Sequence, residues 1–312
     1  MEVINLLPHF VDCLKRWPQA PSESQVQADF VAPVEKWLAP LLSDFWDFRE
    51  ATLGSAIADL DWPAYRAHAL GLDPAHEERR VQTQLAAVEK SLKHKLSGEI
   101  ILFGAFKLMD GYARFDEGTH RVYLGADESY HQGAYLDVLY SHELTHVGRE
   151  SQPEVWNGWG YPLKVPHDDL GNQIRVVEHL MSEGFSCVVS ELVNPINGRE
   201  GCEGPWSYCY QTRESYAQIA AQAEQLDVRV HRELTAEMNG EEAHFRTLYD
   251  LTTYSAEFAP FAHYAWAFHW VRDLVYRHPS AKGEIDASLW VGKCSKDLVD
   301  DAKKFRFAGR LQ

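Results

Sequence analysis

The chain has 312 residues, of which 45% are hydrophobic, 12% aromatic and 24% charged. These are globular proportions with enough material for a sizeable core, and they exclude a disordered or fibrous chain. Lys and Arg number 30 against 46 Asp and Glu, a formal net charge of −16, which argues against nucleic acid or an anionic membrane surface as a partner.

No run of 18 apolar residues occurs, so no transmembrane helix is expected. The opening MEVINLLPHFVDCLKRW has no basic residues ahead of its apolar run, which Pro8, His9 and Asp12 interrupt; it reads as an amphipathic helix and not as a secretory leader. The five cysteines (Cys13, Cys187, Cys202, Cys209 and Cys294) include no C-x-x-C pair. Their odd number fits free thiols in a reducing cytoplasm, with a Cys202–Cys209 bridge as the alternative in an oxidising compartment.

Residues 1–96 read as a helical region. Apolar positions recur at helical spacing in Val31-Val34-Trp37-Leu38-Leu41-Leu42 and in Val81-Leu85-Val88-Leu92, and Pro74 to Lys95 is the longest clean helix. The texture changes at Gly98. Glu99 to Gly104 is a short apolar run suited to a buried strand, while Gly111 to Phe115 and His120 to Leu124 alternate around the turn residues Asp116-Glu117-Gly118-Thr119. A sheet of about three strands is therefore expected, followed by a helix over 133–147. A long loop carries Trp156, Trp159 and Tyr161, either as a lid or wall over a site or as aromatics packed onto the core. A second helix is expected over 173–193, and beyond the following loop the chain reads helical to its end. The fold class expected is α+β, mostly helical, with the 1–96 region and a 97–312 domain packed as one unit.

The chemistry is concentrated in His142-Glu143-Leu144-Thr145-His146. On a helix, residues i and i+4 share a face one turn apart, so both imidazoles can reach a single Zn²⁺. The glutamate between them points to the adjacent face, where it can take a proton from water acidified by the ion. A third protein ligand is needed. A metzincin would place Gly at 149 and His at 152, where this chain has Arg149 and Gln152, so a glutamate from a later helix is the better source. Glu183 is the best candidate, because Gly184 and Ser186 beside it would let its helix approach the metal helix. His167, Asp168, Asp169, Glu178 and His179 compete for the role. His179 lies at i−4 from Glu183 and is expected either to bind substrate or a ligand carboxylate, or to be a core histidine.

Three blocks together resemble a bacterial family of predicted zinc-dependent proteases of gluzincin type. The first runs from Val122-Tyr123-Leu124-Gly125 to Leu139-Tyr140-Ser141-His142-Glu143-Leu144-Thr145-His146-Val147. The second is Glu183-Gly184-Phe185-Ser186. The third is His263-Tyr264-Ala265-Trp266-Ala267-Phe268-His269-Trp270-Val271-Arg272, ending in Arg277-His278-Pro279. The likeness spans about residues 98–295 and departs from the family pattern at His263 and Ala267, where smaller residues are expected. It implies a zincin-like core and peptide-bond hydrolysis.

Hydrolysis of an amide creates an oxyanion that needs a donor besides the metal. Tyr264 is the candidate catalytic donor, with His263 beside it as a candidate substrate-binding residue. The alternative is that the aromatic stripe Phe261, Tyr264, Phe268 is core packing. The resulting expectation is a metallopeptidase holding one Zn²⁺ through His142, His146 and Glu183, with Glu143 as general base and a peptide or protein as substrate. Hydrolysis of a small non-peptide amide or ester, and a non-enzymatic partner-binding module, are the rival readings.

Overall fold

A computed structural model describes residues 1–44, 50–116, 118–127, 134–161, 174–237, 258–277 and 285–310. The elements that position the site are four strands, β1 (Glu2–Asn5), β2 (Glu99–Phe103), β3 (Gly111–Asp116) and β4 (Thr119–Gly125), and five helices, α1 (Leu7–Arg16), α2 (Pro74–Leu92), α3 (Tyr135–Glu150), α4 (Val176–Val193) and α5 (Ala262–Arg277). The molecule is thus mostly helical with one small sheet, an α+β arrangement. No helix among the described residues is long and apolar enough to cross a membrane.

The sheet order is β1-β2-β4-β3. β1 and β4 both pair with β2 in parallel, and β3 pairs with β4 as an antiparallel hairpin, from Gly111 opposite Leu124 to Asp116 opposite Thr119. Central β2 is covered on both faces, and Ile100, Ile101, Leu102 and Phe103 are fully buried, which is why its sequence is continuously apolar instead of alternating.

The expected three strands become four because residues 2–5 are a strand and not the start of a helix. Val3 and Ile4 are β-branched and suit a pleated surface. Asn5 ends the strand: its Oδ1 accepts from the Leu7 amide at 3.1 Å, while its Nδ2 donates to the Pro74 carbonyl and to Glu78, each at 3.0 Å. The helix begins only at Leu7. One apolar cluster runs from Leu6 to Phe307, with Phe10 and Phe30 edge-on to Phe106 at 5.4 and 5.7 Å. Residues 1–96 therefore share their core with the rest of the chain.

The long charged helix forms as its ends dictate. Asp73 accepts from the amides of Ala75 and His76 at the start of α2, Pro74 occupies the first turn, and Lys93 closes the helix in a left-handed conformation. Helix α3 is buried almost all round, so its amphipathic signature is weak. Helix α4 lacks a side-chain cap; its first amides donate instead to the carbonyls of Ala236 and Leu234, at 3.0 and 2.9 Å. Within the long loop, Pro153–Asn157 is a short helix. Trp156 donates to the Glu150 carbonyl and Trp159 to Ser295, so these aromatics pack down onto the protein. Residues 285–310 form short turns and the brief helix Val299–Lys304, in place of the continuous helix expected there.

Gly184 does not face the metal helix as expected. It faces α5, where a methyl group added at this position would lie 2.4 Å from the Ala267 carbonyl oxygen. That obstruction is backbone inside a packed helix pair, so Gly184→Ala is expected to destabilise the protein by about 1–3 kcal/mol. Urea unfolding should show a lower midpoint with an unchanged slope; an unaltered midpoint would mean that α4 and α5 separate without cost.

Candidate metal centre

Helices α3 and α4 pack antiparallel, and their contacts form successive layers. Ser141 donates to Ser190 at 3.0 Å, His142 Nδ1 faces Cys187 Sγ at 3.8 Å, His146 Nδ1 meets Ser182 Oγ at 3.0 Å, and Arg149 donates to Glu178 at 2.6 and 3.1 Å. The ligand layer lies between the serine pair and the buried ion pair. There Glu183 Oε2 is 3.0 Å from His142 Nε2 and 3.4 Å from His146 Nε2, and the two Nε2 atoms are 3.1 Å apart. One ligand atom from each of the three residues falls within 4.8 Å of the others, and all three side chains are buried.

The donor set fits a metal ion. Two imidazole nitrogens and one carboxylate oxygen are the ligand types that bind Zn²⁺ with a fourth position open. Each imidazole directs Nε2 to the common point, while its Nδ1 is held from behind by Ser182 or Cys187, the outer contact that orients a ligating histidine.

The electrostatics are those of a site that holds protons when no cation is bound. Burial opposes a charge on His142, but its hydrogen bonds with Cys187 and Glu183 outweigh that and hold the imidazole at about 9. Burial likewise lowers His146, and the charge and hydrogen bond of Glu183 lift it to about 9. Glu183 is raised by burial, yet the His146 charge and the two imidazole hydrogen bonds bring it well below the usual carboxylate range. Glu143 is pushed upward by burial against the pull of both histidines.

The remaining expected residues fall around this centre. Glu143 lies against β3, where a methyl group at Gly111 would sit 2.6 Å from its Cγ and 2.9 Å from its Oε1. Tyr264 stacks on the His142 ring with centroids 6.1 Å apart. His179 Nδ1 is 3.8 Å from Glu183 Oε1, beyond hydrogen-bond reach, and its ring stacks on His263 at 5.5 Å. His263 is fully buried and edge-on to Tyr264. Among the rival third ligands, Glu178 is engaged by Arg149. His167, Asp168 and Asp169 lie outside the described residues, as do His278 and Pro279.

Sequence reasoning missed Tyr210. Its ring is edge-on to His142 at 5.1 Å, to Tyr264 at 5.9 Å and to Tyr135 at 5.9 Å. It comes from a loop with no hydrophobic period, so only its adjacency to Cys209 marked the segment. Ser182 and Cys187 were missed as well, since nothing in a sequence tells which neighbour of a ligand backs an imidazole.

Because a ligating imidazole must be neutral, metal binding at pH 7 is expected to expel about one to two protons per ion, and affinity should rise with pH until the imidazoles lose their protons near 9. Calorimetric titration of Zn²⁺ in buffers of different ionisation enthalpy measures this directly; heats independent of the buffer would contradict it. His142→Ala combined with His146→Ala should abolish stoichiometric binding.

No protein-family model, curated protein or solved structure matches the chain.

Proposed function

We propose that this chain is a zinc-dependent metallopeptidase with a zincin-like core of gluzincin type, holding one Zn²⁺ through His142, His146 and Glu183. The observation that carries this reading is the meeting of His142 Nε2, His146 Nε2 and a Glu183 oxygen from two antiparallel helices, with Glu143 next to them and raised toward basicity by burial. A site built only for structure would have no use for a base beside it.

When bound, Zn²⁺ supplies Lewis acidity that acidifies water and polarises a carbonyl. The chain supplies the rest. Glu143 accepts the proton of the attacking water and passes it to the departing amine. Gly111 leaves the space that this carboxylate occupies, and Ser182 and Cys187 hold the imidazoles in register. The position of β3 favours a peptide over a compact amide. It is the outer strand of the sheet beyond β4, and Gly111 at its start abuts Glu143. An extended peptide pairing with that outer strand would carry its carbonyl past the base. The five cysteines are free thiols, in keeping with a cytoplasmic setting.

Elemental analysis of protein purified without added metal tests the first part, with one zinc per chain as the expected result. Glu143→Gln keeps the side chain's shape and removes its basicity. It should leave zinc bound while lowering the turnover of a peptide mixture by roughly 10²–10⁴. Unaltered turnover would mean that water is activated elsewhere. Gly111→Ala should displace Glu143 and reduce kcat by up to roughly 10², again at full zinc content; undiminished kcat would show that the carboxylate tolerates the intrusion.

A further inference from the structure

Two phenols, Tyr210 and Tyr264, flank the His142 ring, Tyr135 packs edge-on against Tyr210, and the three hydroxyls differ. Tyr135 donates to Asp110 Oδ2 at 2.5 Å. Tyr264 lies nearly parallel to the imidazole, at an interplanar angle of 22°. Tyr210 approaches edge-on, at 78°, and its hydroxyl is buried with no hydrogen-bond partner among the described residues. A phenol buried in that state is costly, because the hydroxyl has given up water without replacement.

The backbone that presents this ring is strained too. Tyr210 has φ +54° and Phe261, just ahead of α5, has φ +59°; bulky side chains rarely adopt this left-handed region, and such strain persists only where surrounding structure enforces it. Gln211 supplies the enforcement. Its Nε2 donates to the Pro260 carbonyl at 2.7 Å and its amide donates to the Trp206 carbonyl at 3.0 Å. Phe261 then packs edge-on against Tyr264 at 5.4 Å. One glutamine thus ties together the two strained segments that deliver Tyr210 and Tyr264 to His142. An orphaned donor, a strained backbone and a ligand imidazole coincide at one place.

We propose that Tyr210 is a catalytic residue whose hydroxyl donates a hydrogen bond to the oxyanion that forms when the scissile carbonyl is attacked, while Tyr264 serves as the ring platform on which His142 rests. The proposal rests on the metallopeptidase reading. It explains why the hydroxyl lacks a partner among the described residues: its acceptor arrives with the substrate and carries its full negative charge only in the transition state, which is the differential contact that accelerates a reaction.

The test is Tyr210→Phe, with Tyr264→Phe in parallel, each in the full-length zinc-loaded protein. Tyr210→Phe should keep one zinc per chain and lower kcat by roughly 10²–10³ with little change in KM. It should also raise the Tm of the free protein, because it deletes an unsatisfied buried group and retains the ring. A readout independent of turnover is the affinity for acetohydroxamate, whose oxygens occupy the open metal position; Tyr210→Phe should weaken it about tenfold, the cost of one lost hydrogen bond. Wild-type kcat and wild-type hydroxamate affinity in Tyr210→Phe would overturn the assignment, as would finding the whole loss in Tyr264→Phe. If the wild-type protein cleaves no peptide, the metallopeptidase reading fails by itself. The hydroxamate titration then still decides whether Tyr210 faces the open metal position, and an unchanged affinity there overturns the proposal. A lowered Tm in Tyr210→Phe would refute the premise that its hydroxyl is unsatisfied.

Discussion

The antiparallel seam between α3 and α4 is the constraint on which the site depends. Three ligand atoms can converge only if Glu183 stands opposite the turn that carries His142 and His146, and a shift of one residue along α4 would move the carboxylate by about 1.5 Å and 100° around its axis. Polar contacts on either side prevent that slip. On one side Ser141 meets Ser190, and Asn194 donates to Ser141, to the Asp137 carbonyl and to Gln84 of α2. On the other, Arg149 is 1% exposed and Glu178 2% exposed, and Arg149 also donates to the carbonyls of Val291 and Lys293. Removing one member of such a buried pair strands the other's charge, at a cost of about 3–5 kcal/mol. Apolar packing alone would tolerate several registers, whereas these hydrogen bonds are satisfied in one.

The sheet and α5 bear on the same seam from opposite directions. β3 lies against Glu143 through Gly111, and α5 lies against α4 through Gly184. In both places the missing side chain brings a second element to a distance that any Cβ would forbid. The base is thereby confined between its own helix and a strand, and Glu183 is borne on a helix that is packed on two sides. Such confinement is what holds a catalytic constellation within the narrow tolerance that chemistry requires.

Stability is yielded at the aromatic wall: Tyr210 and Phe261 are both left-handed, and the buried Tyr210 hydroxyl has no hydrogen-bond partner among the described residues. The metal layer itself is well compensated, since each imidazole has a contact at Nδ1 and Glu183 is shared between two histidines. Strain and an unmet donor next to an otherwise satisfied cluster are what a site looks like when one of its partners is a transient species.

By itself the sequence determined the local features. The i, i+4 histidines, the following helix with its glutamate and the β3–β4 hairpin were legible because helix period, strand alternation and turn chemistry act over a few residues. The small residue at 184 was legible as a close approach, but not its direction, since a helix presents every face and only packing selects which neighbour meets which. β1 was misread for a related reason: Glu2–Asn5 is too short to express a period, and it is a strand because β2 offers an edge nearly a hundred residues later in the chain. The tertiary structure alone decided that Glu178 pairs with Arg149 while Glu183 turns to the histidines, and that Tyr210, from a loop, stands edge-on to His142. Those outcomes depend on which groups a folded interior can satisfy, and that is a property of the whole packed chain and not of any segment of it.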